Sequence, residues 1–193
     1  NKNYGADNAL ETSGEATKNM VSLLRFDLSS IPPGAVITSA VLSITVNSAG
    51  GDNTNVFRML SAWTEGTGTG SATGDGATWN KRDGVNAWSG GSAFGPTNYS
   101  GTSLGTLATT PNGNKTLDIT SQVKDWVNNG VANNGLALVA AGVSNNTATY
   151  YPSEDGTASR RPALIVQWYA PVATKPAITT TMSVVPMLQT GSS

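Results

Sequence analysis

Apolar residues in this chain recur at every second position rather than every third or fourth. The clearest run is residues 39–46, in which Ala40, Leu42, Ile44 and Val46 alternate with mostly polar neighbours. Successive side chains of a strand point to opposite faces, so this spacing predicts a strand with one face in a core. The same alternation runs through residues 56–60, 136–140 and 164–168.

Turn motifs separate these runs. They are Ile31-Pro32-Pro33-Gly34, Asn112-Gly113 and Asn134-Gly135, all built from residues that favour tight turns. Many short strands joined by such turns predict an all-β protein, an antiparallel β-sandwich of jelly-roll type. We expect its core to contain nine apolar residues: Leu24, Phe26, Leu42, Ile44, Leu60, Leu136, Leu138, Leu164 and Val166.

One segment breaks the period of two. In residues 120–128, Val123, Trp126 and Val127 lie at helical spacing behind Thr120, a residue type that caps helix N-termini. We therefore predict one short helix that closes an end of the sandwich.

Composition excludes several functions. Charged residues make up 12% of the chain, and eleven scattered Lys and Arg do not form the basic face that nucleic-acid binding needs. No run of 18 apolar residues is present, so no membrane insertion is expected. Histidine and cysteine are absent, which removes Ser-His-Asp and Cys-His nucleophiles, imidazole-ligated metals and disulfides.

Carboxylates are the remaining catalytic groups. Glycosidase chemistry needs two positioned carboxylates. Glu65, Asp75 and Asp83 lie close together in sequence, but within or beside residues 66–77, a Gly-rich stretch that we expect to be flexible. The sequence therefore predicts a protein that is not an enzyme.

Aromatic residues suggest a place for sugars. Residues 80–102 form a long polar loop that contains Trp88 and Tyr99, and Tyr150 lies on a later strand. Sugar rings stack on flat aromatic faces, so these three are the candidate carbohydrate-binding residues. The alternative is that the loop aromatics pin the loop onto the sandwich. We expect Trp63, Trp79 and Trp126 to pack in the core.

Calcium is the one metal that the residues suggest. Asp7, Asp52 and Asn53 lie in loops and carry the hard oxygen donors that Ca²⁺ prefers. The alternative is that these side chains stabilise turns, as Asp and Asn commonly do. No other cofactor is expected.

A series of short motifs follows a fixed order along residues 3–169. They are Asn3-Tyr4-Gly5, Arg25-Phe26-Asp27-Leu28, Ile31-Pro32, Ala40-Val41-Leu42, Trp63-Thr64-Glu65, Thr78-Trp79, Asp118-Ile119-Thr120, Ser153-Glu154 and Arg161-Pro162-Ala163-Leu164-Ile165-Val166. In this order they resemble the DNRLRE domain family, whose members are secreted β-sandwich modules grouped with carbohydrate-binding modules. The resemblance implies a sandwich fold and an extracellular or cell-surface setting.

Both ends of the chain depart from that family pattern. Members usually begin with a strand before the Asn-Tyr-Gly motif, whereas two residues precede Asn3 here, so we expect a missing strand and an open groove. The first residue is Asn1 rather than Met, which suggests a secreted protein whose signal peptide has been removed.

The C-terminal end continues beyond the domain. We divide the chain into a sandwich at 1–169, a Pro-containing linker at 170–176 and an extension at 177–193. Residues 177–185 are rich in β-branched residues and predict a strand. One face of that strand would carry its more apolar side chains: Ile178, Thr180, Met182 and Val184.

Two functions follow from these features. The first is a non-catalytic extracellular subunit whose extension is donated as a strand to the next molecule, giving a head-to-tail homopolymer, a surface filament. The alternative is a carbohydrate-binding module of a secreted polysaccharide-acting or adhesive protein, with polysaccharide as partner. Whether the extension pairs within its own molecule or with a neighbour stays open.

Overall fold

The computed structural model describes residues 2–50, 52–71, 74–91 and 93–170, and all statements below concern this part of the chain. The predicted strand at 177–185, with Ile178, Thr180, Met182 and Val184, lies outside it. The elements in chain order are β1 (Leu10–Thr12), β2 (Val21–Leu24), β3 (Val36–Ser48), β4 (Thr54–Arg58), β5 (Gly105–Leu107), β6 (Gly113–Asp118), α1 (Thr120–Asn128), β7 (Leu136–Ala140), β8 (Ala148–Tyr150), a 3-10 turn (Ala158–Arg160) and β9 (Ala163–Tyr169).

These strands form two antiparallel sheets. The five-stranded sheet has the order β1-β8-β3-β6, and β9 pairs with β3 as well. The four-stranded sheet has the order β2-β7-β4-β5. Strand β3 has 13 residues, enough to pair with β6 along one side and with β8 and β9 in succession along the other. The predicted antiparallel β-sandwich is confirmed.

Helix α1 is found at the predicted residues, but Thr120 is not its cap. Ile119 occupies the N-cap position, and Thr120 is the first helical residue. The Thr120 hydroxyl accepts a hydrogen bond from the Ala40 amide at 2.8 Å, and its own amide donates to Asp118 Oδ1 at 2.8 Å. Hydrogen bonds from the Thr120 side chain and backbone lower the pKa of Asp118. Thr120 thus joins the helix to β3. Among the described residues, no helix has the length and apolar character needed to cross a membrane.

The main core lies between the sheets. The inward face of β3 meets the inward face of β7, where Leu136 and Leu138 are fully buried. The alternation predicted for β3 is confirmed, because its four predicted core positions are buried: Ala40, Leu42, Ile44 and Val46.

Four predicted core residues are not fully buried. Leu60 is 44% exposed, whereas Met59 is fully buried. The alternation ends with β4 at Arg58, and Met59 then forms a bridge with Tyr99 instead. Phe26, Leu164 and Val166 pack against the core but are only half-buried. For the last two the reason is that β9 pairs with β3 alone.

A second apolar cluster covers the outer face of the four-stranded sheet. Residues 59–104 connect β4 to β5, and the described part of this segment folds over this face. Their buried rings pack against Ala137 and the half-buried side chains around it, which explains why Ala137 is as buried as its inward neighbours. The cluster consists of Met59, Trp63, Trp88, Phe94 and Ala137.

Core truncation provides a test of this fold. Ile44→Ala and Leu138→Ala should each lower the free energy of unfolding by about 2–5 kcal/mol, because both side chains are fully buried between the sheets. Urea unfolding followed by tryptophan fluorescence measures the loss. Val85→Ala, at an exposed loop position, is the control and should change stability by less than about 0.5 kcal/mol. Equal effects at the buried and exposed positions would contradict the described register.

Candidate functional site

A groove of about 290 Å³ opens beside β2, and we refer to it as the β2 groove. It receives residues from three separate parts of the chain: the end of β2, the loop that follows Met59, and the β8–β9 connection. Its lining is Leu23, Leu24, Arg25, Phe26, Trp63, Glu65, Ser153 and Pro162.

The lining contains several motifs that carry the family resemblance. Arg25-Phe26, Trp63 with Glu65, Ser153 and Pro162 each belong to a different motif. More than 100 residues separate the first from the last along the chain, so only the fold brings them together. Their convergence makes the β2 groove the candidate functional site.

Arg25 is held in place by Trp63. The guanidinium carbon lies 5.5 Å from the centroid of the Trp63 ring, and Nη1 donates to the Trp63 carbonyl at 3.3 Å. Trp63 is itself buried, and its Nε1 donates to the Asn134 carbonyl at 2.8 Å. A guanidinium has five N–H donors. The bond to Trp63 uses one of them, so Arg25 retains donors for a ligand.

Glu65 supplies an acceptor on the same groove. Partial desolvation by the groove raises the pKa of Glu65, and the charge of Glu154 raises it further, whereas Arg25 acts in the opposite direction. Glu65 remains exposed enough to meet a ligand. A carboxylate held at an energetic cost beside an arginine is typical of a functional site.

The loop behind Glu65 is ordered around one buried side chain, Asn3. Asn3 Nδ2 donates to the carbonyls of Glu65 at 2.6 Å and Ala77 at 2.7 Å. Asn3 Oδ1 accepts from the amides of Gly68 at 2.7 Å and Gly5 at 3.1 Å. The expectation that residues around 66–77 lack preorganisation is therefore wrong for the described part of this loop.

The glycines of this loop allow that close packing. Gly66 has φ +81°, and a methyl group added there would lie 2.6 Å from the Gly76 Cα and 2.8 Å from Asn3 Oδ1. Such distances leave no room for any side chain. The Gly-rich composition, which predicts flexibility, instead allows the loop to wrap around the Asn3 amide.

The opposite wall of the groove is fixed by the β8–β9 connection. Arg160 lies 4.3 Å above the Tyr151 ring and forms an ion pair with Asp155 at 2.9 Å. Arg161 Nε donates to the Asp155 carbonyl at 2.6 Å. These contacts hold the segment that carries Ser153 and Pro162.

The predicted sugar-stacking residues do not present open ring faces. Trp88 is 2% exposed and donates through Nε1 to the Thr78 carbonyl, while Tyr150 is fully buried in the main core. Tyr99 is half-buried between Phe57 and Phe94, with ring centroids 4.8 and 5.7 Å away. Trp88 is thus buried and Tyr99 is only partly open, which supports the alternative that both rings pin the loop onto the sheet. A sugar-binding role for Trp88, Tyr99 and Tyr150 stays a prediction.

Among the tryptophans expected in the core, one is an exception. Trp63 and Trp126 are buried as predicted, but Trp79 is 37% exposed. Its ring lies at the outer end of the loop aromatics, 6.0 Å from Phe94. Trp79 is therefore more open to a ligand than the three residues proposed from sequence.

The residues proposed for calcium each bind nearby backbone. Asp52 Oδ2 accepts from the Ser144 amide at 2.8 Å, Asn53 Oδ1 from the Thr109 amide at 3.4 Å, and Asp7 Oδ1 from the Asn8 amide at 2.8 Å. In the described part of the chain, no cluster of three or more acidic side chains could hold a metal ion. A structural calcium at these residues stays a prediction.

A β-sandwich with a groove beside an edge strand is an architecture suited to ligand binding. The family model of carbohydrate-binding module family 96 matches residues 1–168. The chain therefore belongs to carbohydrate-binding module family 96. This membership confirms the carbohydrate-binding part of the sequence resemblance, although not specifically the DNRLRE name. No curated protein matches the chain.

The raised pKa of Glu65 predicts a pH-dependent stability. Because folding raises this pKa, the ionised carboxyl destabilises the folded state. The free energy of unfolding therefore falls as pH rises from the ordinary Glu pKa through the raised pKa. Glu65→Gln should therefore be at least as stable as the wild type at neutral pH. Its advantage should vanish below the ordinary Glu pKa of 4.5, where the wild-type carboxyl is protonated.

Thermal unfolding at pH values from 3 to 8 measures this difference. Glu15→Gln, which replaces a carboxylate outside the groove, is the matched control. A Glu65→Gln variant that loses stability as pH rises, relative to the wild type, would show that the carboxylate is a stabilising partner instead.

Proposed function

We propose that this chain is a carbohydrate-binding module whose ligand site is the β2 groove. The observation that carries the proposal is the convergence of Arg25, Glu65 and Ser153 on one groove in a chain of this family. The module itself does no chemistry and holds its parent protein against a glycan. We place it outside the cell, where such modules typically act.

The lining matches the surface of a sugar. A sugar ring carries hydroxyls that both donate and accept hydrogen bonds, together with patches of C–H groups. The Arg25 guanidinium donates and the Glu65 carboxylate accepts. The Ser153 hydroxyl, which donates to Glu154 Oε1 at 2.8 Å, also accepts. Phe26 and Pro162 provide apolar contact beside them. A few polar groups set among apolar ones are typical of small-molecule sites.

Removal of Arg25 tests the site. Arg25→Ala should weaken binding to a soluble polysaccharide about 10–100-fold, the loss expected for one or two hydrogen bonds from a charged group. Affinity electrophoresis in gels that contain xylan, β-glucan, galactomannan, polygalacturonate or alginate identifies a ligand, and titration calorimetry gives its affinity.

The matched control is Arg82→Ala. Arg82 donates to the Ala62 carbonyl at 3.4 Å, much as Arg25 donates to Trp63, but it does not line the groove. The Arg82→Ala variant should bind the polysaccharide with the affinity of the wild type. Weaker binding in Trp79→Ala, with Arg25→Ala unaffected, would place the site on the loop aromatics instead.

The proposal of a module without catalysis has its own check. Glu65 lines the groove, and the charge of Glu154 nearby raises the Glu65 pKa. A glycosidase also uses a pair of carboxylates. Incubation of the protein with each bound polysaccharide, followed by a reducing-end assay, should detect no cleavage. Cleavage that Glu65→Gln abolishes would identify an enzyme.

A second function, self-assembly by strand donation, is favoured by β9. This strand pairs with β3 alone among the described residues, and its outward Ile165 and Tyr169 are 56% and 53% exposed. An exposed apolar edge strand is a template for pairing with another strand. The chain continues from β9 into the linker and the β-branched 177–185 segment, which could pair with β9 of a neighbour.

Truncation tests this second function. The full chain should self-associate in size-exclusion chromatography and form filaments visible by electron microscopy, and a chain that ends at Ala170 should do neither. Glu65→Gln in the full chain is a control that should leave assembly intact, because it alters only the groove. A full chain that stays monomeric at high concentration would rule out donation.

A further inference from the structure

We propose that the ligand is an oligosaccharide segment of at least two sugar units, which occupies two adjoining subsites on either side of Arg25. The inference rests on the proposed carbohydrate-binding function. A second groove of about 430 Å³ is lined by Arg25, Phe26, Asp27, Leu28 and Asn133. It shares Arg25 and Phe26 with the β2 groove, so the two grooves meet at these residues. We refer to the second one as the Asp27 groove.

The two grooves follow one continuous piece of chain. Residues 23–28 leave β2 and line first the β2 groove and then the Asp27 groove. An extended chain rises about 3.3 Å per residue, so this piece spans at most roughly 17 Å. A cleft of that length suits a linear ligand rather than a single ring.

The Asp27 groove has a fixed wall. Asn133 Nδ2 donates to the Phe26 carbonyl at 2.9 Å, and Asn133 Oδ1 accepts from the Gly135 amide at 3.2 Å. Asn133 therefore ties the chain after β2 to the start of β7. This part of the groove is therefore preorganised, so a ligand would not lose binding free energy to order it.

Polar groups alternate along the cleft. The Glu65 carboxylate lies on the β2 groove, the Asp27 carboxylate on the Asp27 groove, and the Arg25 guanidinium lines both. Hydrogen bonds from the Ser29 backbone and side chain lower the pKa of Asp27, so this acceptor stays ionised at neutral pH. Each subsite thus offers one carboxylate acceptor, and both share one donor. Consecutive sugar units of a chain present a repeating set of hydroxyls, which this repeated arrangement of acceptors around a donor can bind.

The size of each groove supports the same conclusion. Ligand pockets usually measure about 300–1,000 Å³. The β2 groove, at about 290 Å³, lies at the lower end of that range, and the Asp27 groove at about 430 Å³ lies within it. A ligand confined to one of them would leave the other groove, which Arg25 also lines, filled with water. A ligand that fills both would use the shared arginine twice.

Oligosaccharides of increasing length test the inference. The probes are the fragments, from one to six units, of whichever of the five polysaccharides named above binds the wild type, titrated by calorimetry. Affinity should rise at least about tenfold between one and two or three units and then level off. An affinity that is the same for one unit and for six would overturn the two-subsite proposal.

Asp27→Ala separates the two subsites. It should weaken binding of the longer fragments about tenfold, the loss of a hydrogen bond to a charged group, and leave single-unit binding at the β2 groove unchanged. The matched control is Asp83→Ala. Asp83 also accepts from backbone amides within its own turn, those of Val85 and Asn86, but lines neither groove. Asp27→Asn, which retains an acceptor oxygen for Ser29, distinguishes loss of the turn from loss of the charge.

The outcomes distinguish this inference from the proposed function. If Arg25→Ala weakens binding and Asp27→Ala does not, the β2 groove binds a glycan and the second subsite is wrong. If Asp27→Ala and Asp27→Asn both weaken long fragments selectively, two subsites are supported. If none of the five polysaccharides binds the wild type, the proposed function fails and this inference fails with it.

Discussion

Strand β3 is the constraint on which the whole sandwich depends. It extends from Val36 to Ser48 and buries every second side chain through most of its length. Because it is longer than its partners, β6 pairs along one side while β8 and β9 follow each other along the opposite side. The Ala40 amide, in the middle of β3, also binds the Thr120 hydroxyl at the start of α1. Four elements therefore take their positions from this single strand. A change of its register by one residue would turn the apolar side chains to solvent and misplace all four.

The two sheets are covered differently, and this difference determines where ligands can reach the molecule. The four-stranded sheet is buried on both faces, since residues 59–104 lie over its outer side. Most of the loop rings contribute to that cover, which leaves Trp79 as the exposed one among them. The five-stranded sheet keeps an exposed outer face that includes Ile165 and Tyr169. The β2 groove lies at the margin of this cover, which contributes Trp63 and Glu65, between the edge strand of one sheet and the β8–β9 connection of the other.

Local patterns in the sequence predict the local structure well. Period-two alternation locates β3 and β7, and helical spacing locates α1, because both signals depend on neighbours a few residues apart. The predictions are wrong where contacts between residues far apart in the sequence determine the position of a side chain. Leu60 is exposed because Met59 pairs with Tyr99, and Thr120 binds β3 rather than capping its own helix. For the candidate site, the sequence shows the separate motifs but not that they meet in space. Arg25 and Glu65 belong to recognisable motifs, but no periodicity shows that they meet at one groove. The aromatic residues of the loop gave a stronger signal for sugar binding than Arg25 and Glu65 did, but most of these rings cover the sheet.

The Asn3 side chain has a mechanical consequence. The Asn3 backbone amide donates to the Ser71 carbonyl at 2.9 Å, and the Asn3 carbonyl accepts from the Gly70 amide at 2.8 Å. The side-chain amide of Asn3 donates to the Glu65 carbonyl across 62 positions of the chain. A pull that enters through the residues before Asn3 therefore reaches this hub before it reaches β1, the first strand. The bonds that carry such a load are the same bonds that hold Glu65 against the groove. Tension on that end of the module and the shape of the proposed ligand site are thus joined through one buried amide.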